Sequence, residues 1–262
     1  MKLPLYQIDA FADAPFQGNP AAVCPLPYWL PDALLQAIAL ENNLSETAFF
    51  VGREGRYHIR WFTPATEVAL CGHATLAAAY LIFSEQAALN AIMFDSRGGP
   101  LRVLRETDCL TLDFPALRAV RCDIPANIPL ALGSTPIECF RTDIAFMAVF
   151  KDEQAIHSLK PDFRLLNSLG PRDVMVTAPG HACDFVSRYF APACGIDEDP
   201  ATGSAHCTLA PYWADRLGKA SLCARQLSRR TGAFRCRIAG DRVLISGQAR
   251  SYLTGAIDVA VT

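Results

Sequence analysis

The 262-residue sequence predicts an α+β fold made of two pseudo-symmetric domains, and three observations point there. Short runs of alternating apolar residues, the mark of half-buried strands, are interspersed with segments of helical period. One strand-loop-helix pattern occurs twice. Half of the residues are apolar (51%), enough for one large core or two modest ones at this length.

In chain order, Leu3 to Phe11 alternates as a strand, and Phe16-Gln17-Gly18-Asn19-Pro20 has the composition of a turn leading into Ala21-Ala22-Val23-Cys24. From Pro31-Asp32 to about Asn42, Leu34, Leu35, Ile38 and Ala39 fall on one helical face, with Asp32 placed to cap or charge the first turn. Strands are expected at Thr47 to Val51 and Tyr57 to Phe62, then a small-residue helix from about Gly72 to Ser84. Further strands follow near Ala91 to Phe94, Leu101 to Arg105 and Leu110 to Phe114.

The repeat lies in two stretches. Arg60-Trp61-Phe62-Thr63-Pro64 is matched by Arg188-Tyr189-Phe190-Ala191-Pro192. Glu67-Val68-Ala69-Leu70-Cys71-Gly72-His73-Ala74 is matched by Glu198-Asp199-Pro200-Ala201-Thr202-Gly203-Ser204-Ala205, after a three-residue insertion. Each copy reads as a strand ending at proline, a loop, a glycine and a helix of small apolar residues (Ala74 to Tyr80; Ala205 to Ala214). A duplicated domain accounts for this. The division is expected at 1–116 and 117–262, with the link around Pro115 to Pro129 and the last strand able to pack back on the first.

Composition removes several functions. Lys plus Arg (24) nearly balance Asp plus Glu (26), a net charge of −2, so no basic surplus is available for nucleic acid. Met1 to Asp9 has no secretory h-region, and the longest helical apolar stretch is about half the roughly 20 residues that span a bilayer. No membrane association and a cytoplasmic location are expected. The ten cysteines are scattered and read as reduced thiols; without C-x-x-C or H-x-x-H spacing, no metal is expected. No G-x-G-x-x-G, G-x-x-x-x-G-K-[ST] or G-x-S-x-G is present, so the common nucleotide loops and nucleophile elbows are absent. Cofactor-independent chemistry remains.

A glycine at a helix start leaves backbone N–H groups without intrahelical partners, where the helix dipole adds partial positive charge. Two such ends, Cys71-Gly72-His73 and Thr202-Gly203-Ser204, are expected to face one cleft between the domains and to suit a small carboxylated ligand, although each glycine alone reads equally as a tight turn. Glu46 opens the apolar run Thr47-Ala48-Phe49-Phe50, a setting that suits acid-base work; a solvated junction carboxylate is the plainer reading. His73 stands as an acid or hydrogen-bond donor, or as a satisfied buried histidine. Asp199 and Ser204 stand as ligand contacts or as helix caps. Asn19, Cys71 and Thr202 are further candidates within the same motifs.

Four stretches together carry a resemblance: Phe16-Gln17-Gly18-Asn19-Pro20-Ala21-Ala22-Val23; Leu44-Ser45-Glu46-Thr47-Ala48-Phe49; Arg60-Trp61-Phe62-Thr63-Pro64 running on to Cys71-Gly72-His73-Ala74-Thr75; and Glu198 to Ala205. The chain resembles the PhzF-like family of the phenazine biosynthesis isomerase and, more widely, the diaminopimelate epimerase-like fold. That resemblance implies two domains, each a β-barrel-like sheet around a central helix, an active site in the cleft between them, and a homodimer. It implies an isomerase that moves a hydrogen between ring carbons of trans-2,3-dihydro-3-hydroxyanthranilate without metal or organic cofactor. Glu46 would carry the proton. His73 and Asp199 would bind and polarise the substrate, and Gly72, Gly203 and Ser204 would hold its carboxylate or nearby polar groups.

Epimerase relatives place one cysteine at each helix start as paired acid and base. Here Cys71 occupies the first position and Thr202 the second, and a hydroxyl is a poor base, so two-cysteine racemisation is disfavoured. Arg229-Arg230-Thr231-Gly232-Ala233-Phe234 matches the family's glycine-arginine segment only loosely, which leaves the substrate open. An amino- or hydroxy-acid epimerase using Cys71, and a non-catalytic binding protein on the same scaffold, are the competing readings.

Overall fold

The computed structural model describes residues 1–259. The chain divides into two compact units, one of Met1–Asp113 with the C-terminal chain from Ser246, the other of Phe114–Ile245. Each is a mixed α+β layer whose sheet curls against a helix.

The first unit runs β1 (Lys2–Ala10), β2 (Asn19–Pro25), α1 (Asp32–Asn42), β3 (Glu46–Arg53), β4 (Arg56–Phe62), β5 (Glu67–Val68), α2 (Gly72–Glu85), β6 (Ala91–Ser96), β7 (Gly99–Arg105) and β8 (Leu110–Pro115). The second runs β9 (Val120–Cys122), α3 (Asn127–Leu132), β10 (Glu138–Arg141), β11 (Ala145–Val149), α4 (Glu153–Ser158), α5 (Phe163–Asn167), β12 (Asp173–Pro179), β13 (Phe185–Phe190), α6 (His206–Leu217), β14 (Ser221–Gln226), β15 (Gly232–Ala239) and β16 (Arg242–Gly247). Last comes β17 (Ala249–Asp258), which pairs antiparallel with β1 from Lys2↔Asp258 to Ala10↔Ala249. That pairing carries the C-terminal residues into the first unit; the sequence reading, which divides the chain at 1–116 and 117–262, leaves room for it by letting the last strand pack back on the first. The stretch expected as the link, 115–129, carries β9 and the start of α3.

The strands of the two units repeat one pattern. Along β1-β2-β3-β4-β6-β7 the neighbours are antiparallel, parallel, antiparallel, parallel and antiparallel. Along β10-β11-β12-β13-β14-β15 the order is the same. Parallel neighbours need a crossover. In the first unit these are α1, between β2 and β3, and α2, between β4 and β6; in the second, α4 with α5 and then α6 take the corresponding places.

α2 owes its position to its composition. Gly72-His73-Ala74-Thr75-Leu76-Ala77-Ala78-Ala79 combines high helix propensity with small volume, so sheet can approach closely, and nearly all of its residues are buried. It packs against β1, β2, β3, β7 and β17. α1 covers the opposite face, burying Leu35, Ile38 and Ala39 with Leu3, Cys24, Phe49 and Phe62; each such aliphatic contributes roughly 1.5–3 kcal/mol. Asp32 charges the first turn of α1 rather than capping it: Pro31 holds the cap position, and Asp32 pairs with Arg60 at 2.8 Å.

α6 begins at His206, with Ala205 as its cap, one residue later than expected, and contains Pro211. A proline inside a helix cannot donate to the carbonyl four residues back. The orphaned acceptor here is Cys207 O, and Leu117 N–H donates to it at 2.8 Å.

Candidate active site

In the first unit four of the expected residues meet. Asn19 is the first residue of β2 and Glu46 the first of β3; these strands are parallel neighbours with Ala21 opposite Glu46, so both side chains stand at one end of the sheet. α2 starts at that end, with Cys71 as its cap residue and His73 in its first turn. Gly18 turns the chain into β2 at φ +68°, where an added Cβ would lie 2.2 Å from Ala10 O, so the position requires glycine.

His73 is the hub. Its Nε2 lies 3.1 Å from Glu46 Oε2, and its Nδ1 lies 3.2 Å from Asn19 Nδ2 and 3.5 Å from Cys71 Sγ. The Glu46 and His73 side chains are only 13% and 7% exposed. Their facing atoms are at ion-pair distance but off the line of a hydrogen bond, and neither has another hydrogen-bond partner among the described residues. Asn19 Nδ2 can donate to Nδ1 only while the ring is neutral; once the ring is protonated both of its nitrogens donate, and Asn19 then meets Nδ1 with its amide oxygen.

Charge in this cluster is balanced against burial. Burial opposes a positive His73, but Cys71 and Glu46 outweigh it and hold the imidazole well above its ordinary range. Burial and, after it, Glu46 push the Cys71 thiol up, more than His73 and the Ala74 amide draw it down. The surroundings thus favour a proton on His73 and disfavour a thiolate at Cys71. The Thr75 hydroxyl donates to Cys71 O at 2.5 Å and fixes the cap residue.

Glu46, Cys71 and His73 are also the residues that could hold a metal ion, their ligand atoms lying within 4.8 Å of one another. Cys71 faces Nδ1 and Glu46 faces Nε2.

The comparisons with known proteins bear on this cluster. The family model described as "Phenazine biosynthesis-like protein", PhzC-PhzF, matches residues 8–255. The chain belongs to that family. An uncharacterized isomerase of Pseudomonas aeruginosa is 54% identical over 258 residues, covering 98% of this chain and 99% of its own. A phenazine biosynthesis-like domain-containing protein of Homo sapiens is 38% identical, covering 98% and 99%. Among solved structures, a PhzF-family protein of Enterococcus faecalis superposes with a TM-score of 0.96 at 44% identity, covering 99% of this chain and 100% of that one. A hydroxyproline epimerase of Agrobacterium vitis, at 11% identity and a TM-score of 0.64, shares the fold.

Of the other expected residues of this PhzF-family chain, Gly72 is the first residue of α2, and Asp199, Thr202, Gly203 and Ser204 lie in the second unit, where Asp199 and Thr202 join a second network. Gly203 and Ser204 stand in the turn ahead of α6, their carbonyls accepting from His206 N–H and Cys207 N–H at 3.1 Å each, so Gly203 is not the first helical residue as Gly72 is. Asp199 does not cap α6. Its Oδ2 accepts from the Thr202 hydroxyl. That hydroxyl also accepts from Gln226 Nε2 at 3.1 Å, so Thr202 is engaged on both sides and is no free base.

Gln226 and His206 escaped the sequence reading. Buried Gln226, the last residue of β14, accepts from Thr202 N–H at 2.8 Å and donates to Asp199 O at 2.6 Å, clamping the loop from both ends. His206 Nδ1 donates to Thr202 O at 2.9 Å, the counterpart of the Thr75 bond to Cys71 O. His206 stacks on Phe234 with ring centroids 3.8 Å apart, and burial lowers its pKa to about 4, which keeps it neutral. Among the described residues no helix is long and apolar enough to cross a membrane.

Proposed function

We propose that this chain is an isomerase that moves a proton within a small carboxylate-bearing substrate, with Glu46 as the proton carrier. The observation that carries the reading is the buried Glu46–His73 pair, whose facing atoms lie 3.1 Å apart without another hydrogen-bond partner. A carboxylate in that position takes a proton from a substrate carbon and returns it to another, and the protonated imidazole beside it stabilises the negative charge that develops meanwhile. The first turn of α2 has no side-chain cap, so its backbone N–H groups suit a carboxylate. Relatives named as isomerases are consistent with this chemistry.

For the second unit the reading assigns Asp199, Gly203 and Ser204 to binding polar groups of a ligand, with Asp199→Asn as the direct test. We also propose that no metal or organic cofactor is needed, that the substrate is the only partner besides a second copy of the chain, and that the protein works in the cytoplasm.

A second reading is favoured by one contact: Cys71 Sγ stands 3.5 Å from His73 Nδ1, an arrangement that would serve an epimerase using Cys71 as one of its bases.

The test is deuterium uptake from D₂O into a panel of small carboxylates, including trans-2,3-dihydro-3-hydroxyanthranilate, with unlabelled product scored alongside and the protein dialysed against chelator. Turnover by the wild type that is lost in Glu46→Gln is the expected result. Full activity in Glu46→Gln rejects the assignment, and binding without turnover of any compound leaves only a binding protein.

A further inference from the structure

The edge strand β9 lays Cys122 directly opposite Cys139 of β10 in antiparallel register. Directly opposed residues of an antiparallel pair have Cα atoms about 4.5–5.5 Å apart and side chains on one face, within the roughly 4.4–6.8 Å that a disulfide bridges. Both side chains meet the same apolar core of the second unit: Cys139 is buried within it, and half-buried Cys122 packs against it. Both are free thiols. Of the ten cysteines, no other two stand opposite each other in a strand pair among the described residues.

We propose that Cys122 and Cys139 are a redox pair that closes to a cross-strand disulfide when the protein meets hydrogen peroxide and reopens with a thiol reductant. Cys122, the more accessible sulfur, attacks one peroxide oxygen; the O–O bond breaks, Cys122 becomes a sulfenic acid, and the departing hydroxide leaves as water with the thiol's proton. Cys139 then attacks the sulfenic sulfur. The S–S bond forms, the S–O bond breaks, and a second water leaves with the Cys139 proton. Two thiols have lost two electrons and two protons, and one peroxide has become two waters. Exchange with a dithiol reverses the bond.

The division of roles follows from burial. Cys139 is held up at about 12, first by burial and then by Cys122, which leaves the first attack on peroxide to Cys122; its own attack is driven by the sulfenic acid held directly opposite it. The closed bond fastens a three-residue edge strand and encloses α3, whose Ile128, Ala131 and Leu132 belong to the core beneath. A cross-link of this kind stabilises chiefly by restricting the unfolded chain.

The experiment uses the full-length reduced protein, oxidised with graded hydrogen peroxide, quenched with N-ethylmaleimide and mapped by peptide mass spectrometry. The expected result is a linked peptide joining Cys122 to Cys139, lighter by two hydrogens, that appears before any other cysteine is modified. Dithiothreitol removes it. The thermal unfolding midpoint rises on oxidation and returns on reduction, and Cys122→Ser and Cys139→Ser each abolish both changes. Cys122 trapped as sulfenic or sulfinic acid while Cys139 still alkylates overturns the proposal, as does another cysteine pair linking first. The wild-type peptide map decides the matter even where a serine variant does not fold.

Discussion

Arg188 grips Glu198 with two nitrogens, Nε to one carboxylate oxygen at 2.7 Å and an Nη to the other at 2.9 Å. Arg60 holds Glu67 in the same way in the other unit, with both bonds at 2.8 Å. Each guanidinium also lies 5.0 Å from the ring two residues on, Phe190 or Phe62. The duplicated Arg-x-Phe and Glu are thus one device built twice, tying the strand before the loop to the loop that leads to the helix.

Lysine cannot fork a carboxylate or lie flat on a ring. Arg188→Lys also loses the bond to Leu159 O at 3.1 Å. It should destabilise the protein by about 2 kcal/mol, as should Arg60→Lys. Urea unfolding measures this, and unchanged midpoints in both variants would reject the structural role.

Glu46 helps to keep His73 charged. Replacing it with glutamine removes a negative neighbour, so the imidazole should titrate at lower pH in Glu46→Gln, as nitrogen-detected NMR would show. A raised histidine pKa stabilises the fold fully below the unfolded value of about 6.5 and loses that contribution as the pH rises through the native value. This fading should be reduced in the variant. An imidazole titration that does not move would place the source of the shift elsewhere.

Cys71→Ser separates the two catalytic readings. With Glu46 as carrier, turnover should stay within about threefold of wild type, whereas Glu46→Gln should lose roughly 10²-fold to 10⁴-fold. Loss of activity in the serine variant to the same extent would favour the cysteine-based epimerase.

His206 has the opposite pH signature. Its native value of about 4 lies below the unfolded one of about 6.5, so the unfolded chain binds more protons between them. Stability from this group is complete above the unfolded value and is lost as the pH falls through the native one, about 3 kcal/mol in all. His206→Asn, which offers a non-titrating donor to Thr202 O, should flatten the slope between those limits. Equal slopes for the two proteins would be incompatible with a buried neutral histidine.

Gln226→Leu keeps volume but strands the buried Thr202 N–H and unlocks Asp199 O. A cost of about 3 kcal/mol is expected in urea unfolding. A loss under about 0.5 kcal/mol, the level of an ordinary surface change, would mean that the clamp does not hold the loop.

Much of the fold is legible because the duplicated residues are held to one place by chemistry that recurs. α1 ends at Asn42 and α2 begins at Gly72, as their periodicity and punctuation predict. β12 is harder to read: Asp173-Val174-Met175-Val176-Thr177-Ala178-Pro179 is buried through its middle on both faces, so no polar alternation marks it as a strand. Asn19, Glu46, Cys71 and His73 are local to recognisable motifs. Gln226 is not, since its partners lie more than twenty residues away. One signal was available: in Ser221-Leu222-Cys223-Ala224-Arg225-Gln226 the inward positions are 222, 224 and 226, and a polar residue on an inward position needs a partner.

The pairing of β17 with β1 has a consequence for synthesis. Chains emerge N-terminus first, and domains fold largely as they emerge. The second unit, ending at Ile245, has all of its residues before β17 exists, while the first must wait with β1 lacking one neighbour. Until the final strand arrives, β1 carries an open hydrogen-bonding edge beside Leu3 and Ile8, which become fully buried in the finished fold. The half translated first is therefore the half completed last, and a nascent chain stalled before Ala249 exposes a strand edge to whatever holds unfinished proteins in the cell.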